Sequence, residues 1–148
     1  MSIKIITVGN KPDRDLSNLI DNYTKRIQST SIEWRYLKHG SGNTSYSKQQ
    51  ESEIILRHVS ENDFVMLLDE TGRQIKNLEL SKKLFESKKP IVIIIGGAFG
   101  VSDSVNKRAD FVWSLSSLVF PHQIVRLILA EQLYRSYAIH TGHPYHHA

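Results

Sequence analysis

Cysteine is absent from this chain of 148 residues, and with it go disulfides, zinc–thiolate sites and thiol nucleophiles. A chain without thiols also suits a reducing cytosol. Long apolar runs are missing too: the longest, such as Ile91 to Ile95, fall far short of the roughly 20 residues that span a bilayer. The amino terminus carries no signal-peptide pattern, so the sequence predicts a cytoplasmic protein without membrane association. No repeat, long linker or compositional break divides the chain. At this length one core can bury about 70% of the unfolded surface, and a single domain over residues 1–148 is expected.

What is present is a modest basic excess. Nineteen lysines and arginines stand against 15 aspartates and glutamates, a formal charge of +4. Such an excess draws a chain toward polyanions, nucleic acid first among them, and it equally describes an ordinary solvated surface.

Hydrophobic spacing alternates strand with helix. Ile3 to Val8 is a β-branched strand closed by Gly9 and Asn10, and Asp13 or Asp15 can cap a helix with apolar positions Leu16, Leu19, Ile20, Tyr23 and Ile27. Ile32 to Leu37 reads as a second strand. The stretch His39 to Ser47 is turn-rich and expected to be mobile, with a helix following to about His58. Phe64 to Leu68 is a third strand, ending at Asp69-Glu70-Thr71-Gly72. Leu78 to Ser87 is helical, and Ile91 to Ile95 is a fully apolar central strand. Ser102 or Asp103 can cap a short helix through Arg108, Phe111 to Ser114 is a strand, and Gln123 to Ile139 is the last long helix. This alternation predicts an α/β fold: a mostly parallel sheet with helices on both faces.

The chemically suggestive residues lie between Ile91 and Tyr145. Gly96-Gly97-Ala98-Phe99-Gly100 follows a strand and precedes a helix, so bare backbone amides can approach a ligand; the same glycines suit a plain tight turn. The segment lacks the Lys-Ser/Thr of a P-loop and the full dinucleotide fingerprint. Leu115-Ser116-Ser117-Leu118-Val119-Phe120 sets hydroxyls beside apolar side chains. That pattern suits a ligand held by backbone hydrogen bonds, or a buried connection into the last helix. Neither serine lies in a nucleophile elbow. On the last helix Arg126, Leu127, Ala130, Leu133, Tyr134 and Tyr137 interleave with Glu131 and Arg135, a favourably oriented i,i+4 pair. The tail from His143 to His147 holds several imidazoles, but Pro144 breaks helical spacing and no acidic or thiol ligand is near, so no metal site is expected. Tyr145 suits an ordered tail.

Taken together, IIIGGAFG, WSLSSLVFPHQIVRLILAEQLYR and GHPYH, with IKIITVGN at the start and LLDETGR in the middle, resemble the RlmH-type ribosomal RNA methyltransferases of the SPOUT superfamily. The resemblance covers nearly the whole chain. It implies a SPOUT-type α/β knot, whose carboxy-terminal part is threaded into a trefoil, an exception to the usual rule against knots. It implies a homodimer acting on 23S, large-subunit, ribosomal RNA within the ribosome, with S-adenosylmethionine methylating N3 of a pseudouridine and each active site completed across the interface. By motif, Leu68, Gly96 and Leu115, Ser116, Ser117, Leu118, Val119 and Phe120 would line the cofactor pocket. His122, Arg135, Tyr145 and His146 would face the target base. Ser136 stands where alanine is common.

If the resemblance holds, the sulfonium is already a strong donor, and the protein must chiefly align donor and acceptor and exclude water. No metal is called for. The acceptor is an imide nitrogen, mostly protonated at neutral pH, so a base and an anion stabiliser would help. His122 suits the first role, Arg135 the second, and Tyr145 positioning or proton relay. Two alternatives stand beside this: a non-catalytic RNA-binding dimer on the same scaffold, and a flavodoxin-like nucleotide enzyme.

Overall fold

Alternating β-branched runs and amphipathic segments assemble, in the computed structural model, into one sheet covered on both sides; the structure describes residues 1–147. The strands are β1 (Ser2–Val8), β2 (Ser31–Leu37), β3 (Phe64–Arg73), β4 (Ile91–Ile95) and β5 (Phe111–Trp113). Their order is β2-β1-β4-β3-β5, and every neighbouring pair is parallel. Helices α1 (Arg14–Thr24), α2 (Thr44–Arg57), α3 (Asn77–Phe85), α4 (Asp103–Arg108) and α5 (His122–Thr141) alternate with them. This is the α/β architecture the spacing predicts. Ala148, the end of the expected domain span, lies outside the described residues.

The two-residue period of a strand divides the core. Ile3, Ile5, Met66, Ile91, Ile93 and Ile95 face Leu80 and Leu84 of α3 and Leu129 and Leu133 of α5. Ile6, Val8, Val65, Leu67, Val92 and Ile94 face Ile55 of α2 and Val105 of α4. All five residues of β4 are buried, which is why this strand reads as an unbroken apolar run. Each such side chain contributes about 1.5–3 kcal/mol relative to exposure. No helix among the described residues is long and apolar enough to cross a membrane.

Three boundaries differ from the expected ones by more than two residues. Helix α1 stops at Thr24, and Ile27 reaches the core from beyond its end. The stretch from His39 to Ser47 is hydrogen-bonded onto α2: Asn43 caps the helix through Tyr46 N, Gly40 N donates to Glu51 and Ser41 N to Gln50. The helix therefore starts at Thr44, and a local propensity for turns was the wrong guide because capping consumed it. Strand β3 does not end at Leu68. It continues to Arg73 through a register shift in which both Leu68 and Arg73 oppose Trp113 of β5, a bulge that leaves Asp69 to Gly72 without register partners on β5. On α4, Ser102 is the N-cap by position, but its hydroxyl pairs with Ser104 instead of a backbone amide.

Candidate active site

Parallel strands present their carboxyl ends on one edge of the sheet, the usual place for a ligand in open α/β folds. Here that edge carries a cavity of about 650 Å³, within the range that encloses a small organic ligand. Leu68 at the β3 bulge, the glycine turn after β4 and the loop from Leu115 to Phe120 surround it. Of the residues expected to hold a cofactor, Leu68, Gly96, Leu115, Ser116, Leu118, Val119 and Phe120 line this cavity, and so does His122. Ser117 does not; it is exposed at the outer side of the loop. The loop is braced from within, Ser114 Oγ donating to Ser116 O at 2.9 Å and Leu118 N donating to Ser116 Oγ at 3.0 Å.

Close approach explains the glycines. A Cβ on Gly97 would come within 2.5 Å of Glu51 Oε1, and one on Gly96 within 2.8 Å of Val101 Cγ1. Glu51 is itself buried on α2. Gly100 N donates to Gly97 O at 3.0 Å, closing the turn.

His122 opens α5 and meets Gly96 O through Nε2 at 2.6 Å. A carbonyl only accepts, so Nε2 carries the proton and Nδ1 is left as the basic nitrogen of the neutral ring. Burial lowers the pKa of His122, and the nearby Arg126 charge adds to this against the raising effect of the Gly96 bond. One turn further, Arg126 is fully buried. It donates to Asn10 O at 2.6 Å, Gln123 Oε1 at 3.0 Å and Thr7 Oγ1 at 3.2 Å, and its guanidinium lies 5.1 Å from the centre of the Tyr36 ring. It thereby ties the β1–α1 connection to the turn that presents His122.

A second polar group sits at the other end of α5. Gly142, at φ 78°, ends the helix in the left-handed region, where a side chain would be strained. His143 N then donates to Ala138 O at 2.9 Å, and the tail folds back. Arg135 grips Glu131 Oε1 through Nε and NH2 at 2.9 and 2.6 Å; Tyr145 OH donates to the same oxygen at 3.1 Å; Arg135 NH1 meets His146 Nδ1 at 3.0 Å. Tyr145 also lies under the Arg135 guanidinium at 4.9 Å and edge-on to Tyr134 at 4.7 Å. Burial, followed by Glu131, pushes the Tyr145 phenol up to about 12, so it acts as a donor at neutral pH. The Glu131 hydrogen bond raises the pKa of Arg135, which keeps its charge.

Arg135, Tyr145 and His146 are thus brought together, and His122 is not brought to them. From His122 to Arg135 along α5 is about 20 Å at 1.5 Å per residue.

The sequence that forms this glycine turn, loop and folded tail matches a known family. The sequence model described as "Predicted SPOUT methyltransferase" matches residues 1–146. The chain belongs to the SPOUT methyltransferase family. It is 39% identical over 159 residues to the ribosomal RNA large subunit methyltransferase H of Flavobacterium johnsoniae, covering 99% of each chain. It is 39% identical over 154 residues to the protein of that name from Francisella tularensis subsp. novicida, and 35% over 153 residues to that from Methylobacillus flagellatus, again with 99% of each chain covered. Among solved structures, a probable methylase family protein from Haemophilus influenzae superposes with a TM-score of 0.57 over 99% of this chain and 70% of that one. At 9% identity that likeness concerns the fold alone.

Within this SPOUT fold the cavity also gathers residues that sequence reasoning did not single out as ligands: Asp69, Glu70 and Thr71 of the bulge. Their signal was the DETG run, read there as a strand end. Asp69 Oδ1 accepts from both the amide and the hydroxyl of Thr71. A largely apolar cavity with the Asp69 and Glu70 carboxylates in its wall favours a ligand that carries a cationic part.

Proposed function

We propose that this SPOUT protein is an S-adenosylmethionine-dependent methyltransferase that acts on N3 of a pseudouridine in large-subunit ribosomal RNA, as a cytoplasmic homodimer and on the ribosome. The observation that carries the reading is the convergence of the β3 bulge, the glycine turn and the Leu115–Phe120 loop on one cavity of about 650 Å³ in a chain that aligns end to end with large-subunit ribosomal RNA methyltransferases. The residues present fit the cofactor. The volume suits it, the loops offer backbone groups, and Asp69 and Glu70 give the pocket a sign that attracts a sulfonium. When bound, the cofactor supplies an activated methyl group that leaves with no electron pair, the pair of the broken C–S bond staying on sulfur.

The chain's own residues then have three tasks. The loops fix the donor and exclude water. A base takes the imide proton; neutral His122, with Nδ1 free, is the candidate in the cavity. Arg135, held by Glu131 and His146 with one hydrogen each on NH1 and NH2 still able to donate, stabilises the anion as N3 loses its proton and attacks the methyl. Tyr145 and His146 set the orientation of that guanidinium.

Two groups about 20 Å apart along one helix cannot act on the same base within one chain, because donor and acceptor atoms must come within roughly 3–3.5 Å. A two-fold dimer removes the difficulty by placing the Arg135 cluster of one protomer over the cavity of its partner. Leu118, Val119 and Ile124, 69%, 81% and 40% exposed, supply apolar surface between the two half-sites. On this reading the loop and α5 are the knotted part of the chain.

The test is transfer of labelled methyl from S-adenosylmethionine to ribosomes, isolated large subunits and free RNA, with the product base mapped. Methyl at N3 of one pseudouridine is expected. Cofactor binding without transfer to any of these would favour the non-catalytic RNA-binding alternative, and transfer elsewhere would overturn the base assignment. The family match leaves the flavodoxin-like alternative without support.

A further inference from the structure

The Glu131–Arg135 pair does not stand alone. Glu131 Oε1 is occupied by Arg135 and Tyr145, while its other oxygen, Oε2, accepts from Gln132 Nε2 at 2.8 Å. Gln132 Oε1 in turn accepts from Asn77 Nδ2 at 2.8 Å. Asn77 is the first residue of α3, on another part of the chain. Both side chains are partly buried and line a small second cavity of about 240 Å³, which shares Leu115 with the larger one.

The direction of these bonds follows from the chemistry of the groups. A carboxylate can only accept, so Gln132 must turn its amide NH2 toward Glu131 and its oxygen toward Asn77, which must then present NH2 as well. At the far end Arg135 can only donate, so His146 Nδ1 must be the unprotonated nitrogen and the neutral ring carries its proton on Nε2. Every bond in the series has one direction, and reversing any one of them puts two acceptors or two donors face to face.

We infer that Asn77 and Gln132 are positioning residues for the methyl-transfer reaction: they lock the Glu131 carboxylate so that Arg135 and the His146 tautomer are set before the target base arrives. The inference rests on the proposed function for its catalytic half. It goes beyond it in assigning a role to residues that do not line the larger cavity and have no hydrogen bond to Arg135, Tyr145 or His146, one on α3 and one on the flank of α5. Ordering the guanidinium in advance removes a reorganisation that would otherwise occur in the transition state.

Asn77→Asp is the sharp test, because it changes one nitrogen to oxygen and converts a donor into an acceptor. At the first position of α3 an aspartate is favourable to the helix, so folding and positioning are expected to move apart. The variant should melt at or above the wild-type temperature and bind S-adenosylmethionine with unchanged affinity. Its kcat on ribosomes should fall about tenfold, the scale of one hydrogen bond to a charged group, with KM for the cofactor unaltered. Gln132→Met, which keeps length and removes both polar ends, should lose a similar factor. In nitrogen-15 spectra of histidine-labelled protein, the His146 ring signals should shift in both variants, a change that a merely structural contact would not produce. Wild-type kcat in Asn77→Asp, or His146 signals that do not move, would overturn the inference. If the wild-type protein transfers no methyl group to ribosomal RNA, the functional reading falls and the catalytic half of this inference falls with it; shifted His146 signals would then uphold only the positional half.

Discussion

The two ends of α5 are built on different principles. Around His122 the site is made of turns: a glycine turn, a self-braced loop and a strand bulge enclose a cavity lined by apolar residues with Asp69 and Glu70 among them. Around Arg135 it is made of side chains, six residues whose hydrogen bonds converge on one carboxylate or follow from it. A pocket enclosed by turns is sensitive first to a change of their shape. A side-chain cluster tolerates crowding at its edges but not the loss of a donor. The first suits recognition of a small ligand, the second suits stabilisation of a charge that exists only briefly.

The largest effect should separate the two ends cleanly. Arg135→Ala is expected to lower single-turnover methylation of ribosomes by about a thousandfold, the scale on which a positioned transition-state donor acts. The equilibrium constant for S-adenosylmethionine should stay at the wild-type value. A variant that folds and methylates at the wild-type rate would reduce the Glu131 pair to a helix-surface contact.

Gly96→Val attacks the other end. Its Cβ would press on Val101, which also lines the cavity, and cofactor affinity measured by calorimetry should weaken about tenfold, or roughly 1.4 kcal/mol. Unchanged affinity in a folded variant would place the cofactor elsewhere.

Mixing the two variants tests whether the ends meet across a dimer. After subunit exchange about half of the dimers are mixed, and each mixed dimer has one site with an intact cavity and an intact Arg135. With the cofactor kept well below its dissociation constant, where Gly96→Val alone works at about a tenth of the wild-type rate, activity should recover to about a quarter of the wild-type value. No recovery, with exchange confirmed by mass spectrometry, would place both half-sites within one chain.

The smallest effect concerns pH. His122 has its pKa lowered in the folded protein, chiefly by burial, so the fold favours the neutral ring. The stability this confers is present above the ordinary value of about 6.5 and is lost as pH falls through the lower folded value. Cofactor affinity should follow the same window, because a protonated ring repels a sulfonium. Calorimetric titrations from pH 7.5 downward should show a flat region reaching below about 6.5 and then a decline, and His122→Gln should flatten the decline.

How much of this was legible in the sequence varies by residue. The cavity residues were readable because they sit in compact motifs; Leu68, Gly96 and all of the Leu115–Phe120 loop except the exposed Ser117 line one cavity. Arg126 was readable only as a member of an otherwise apolar stripe. An arginine on core-facing spacing was the signal, and its meaning came from Thr7 and Asn10, more than a hundred residues away. Asn77 and Gln132 carried no signal, since an asparagine opening one helix and a glutamine on another are unremarkable apart. Ser136 is similar: fully buried, its carbonyl accepts from Ser81 Oγ at 2.7 Å while its own hydroxyl has no partner among the described residues, a cost of about 1–3 kcal/mol that no local pattern announces.

By itself the sequence determined which segments are strands and helices, that β4 is buried on both faces, and that the polar motifs cluster in the carboxy-terminal third. Periodicity records how each residue meets solvent or core, and that is a local property. Only the tertiary structure decided that β3 enters between β4 and β5, so that its bulge, the glycine turn and the Leu115–Phe120 loop close on one cavity. It also decided that the tail turns back at Gly142 to meet Glu131. Those are pairings between distant parts of the chain, set by which buried faces and hydrogen-bond donors find complements in three dimensions.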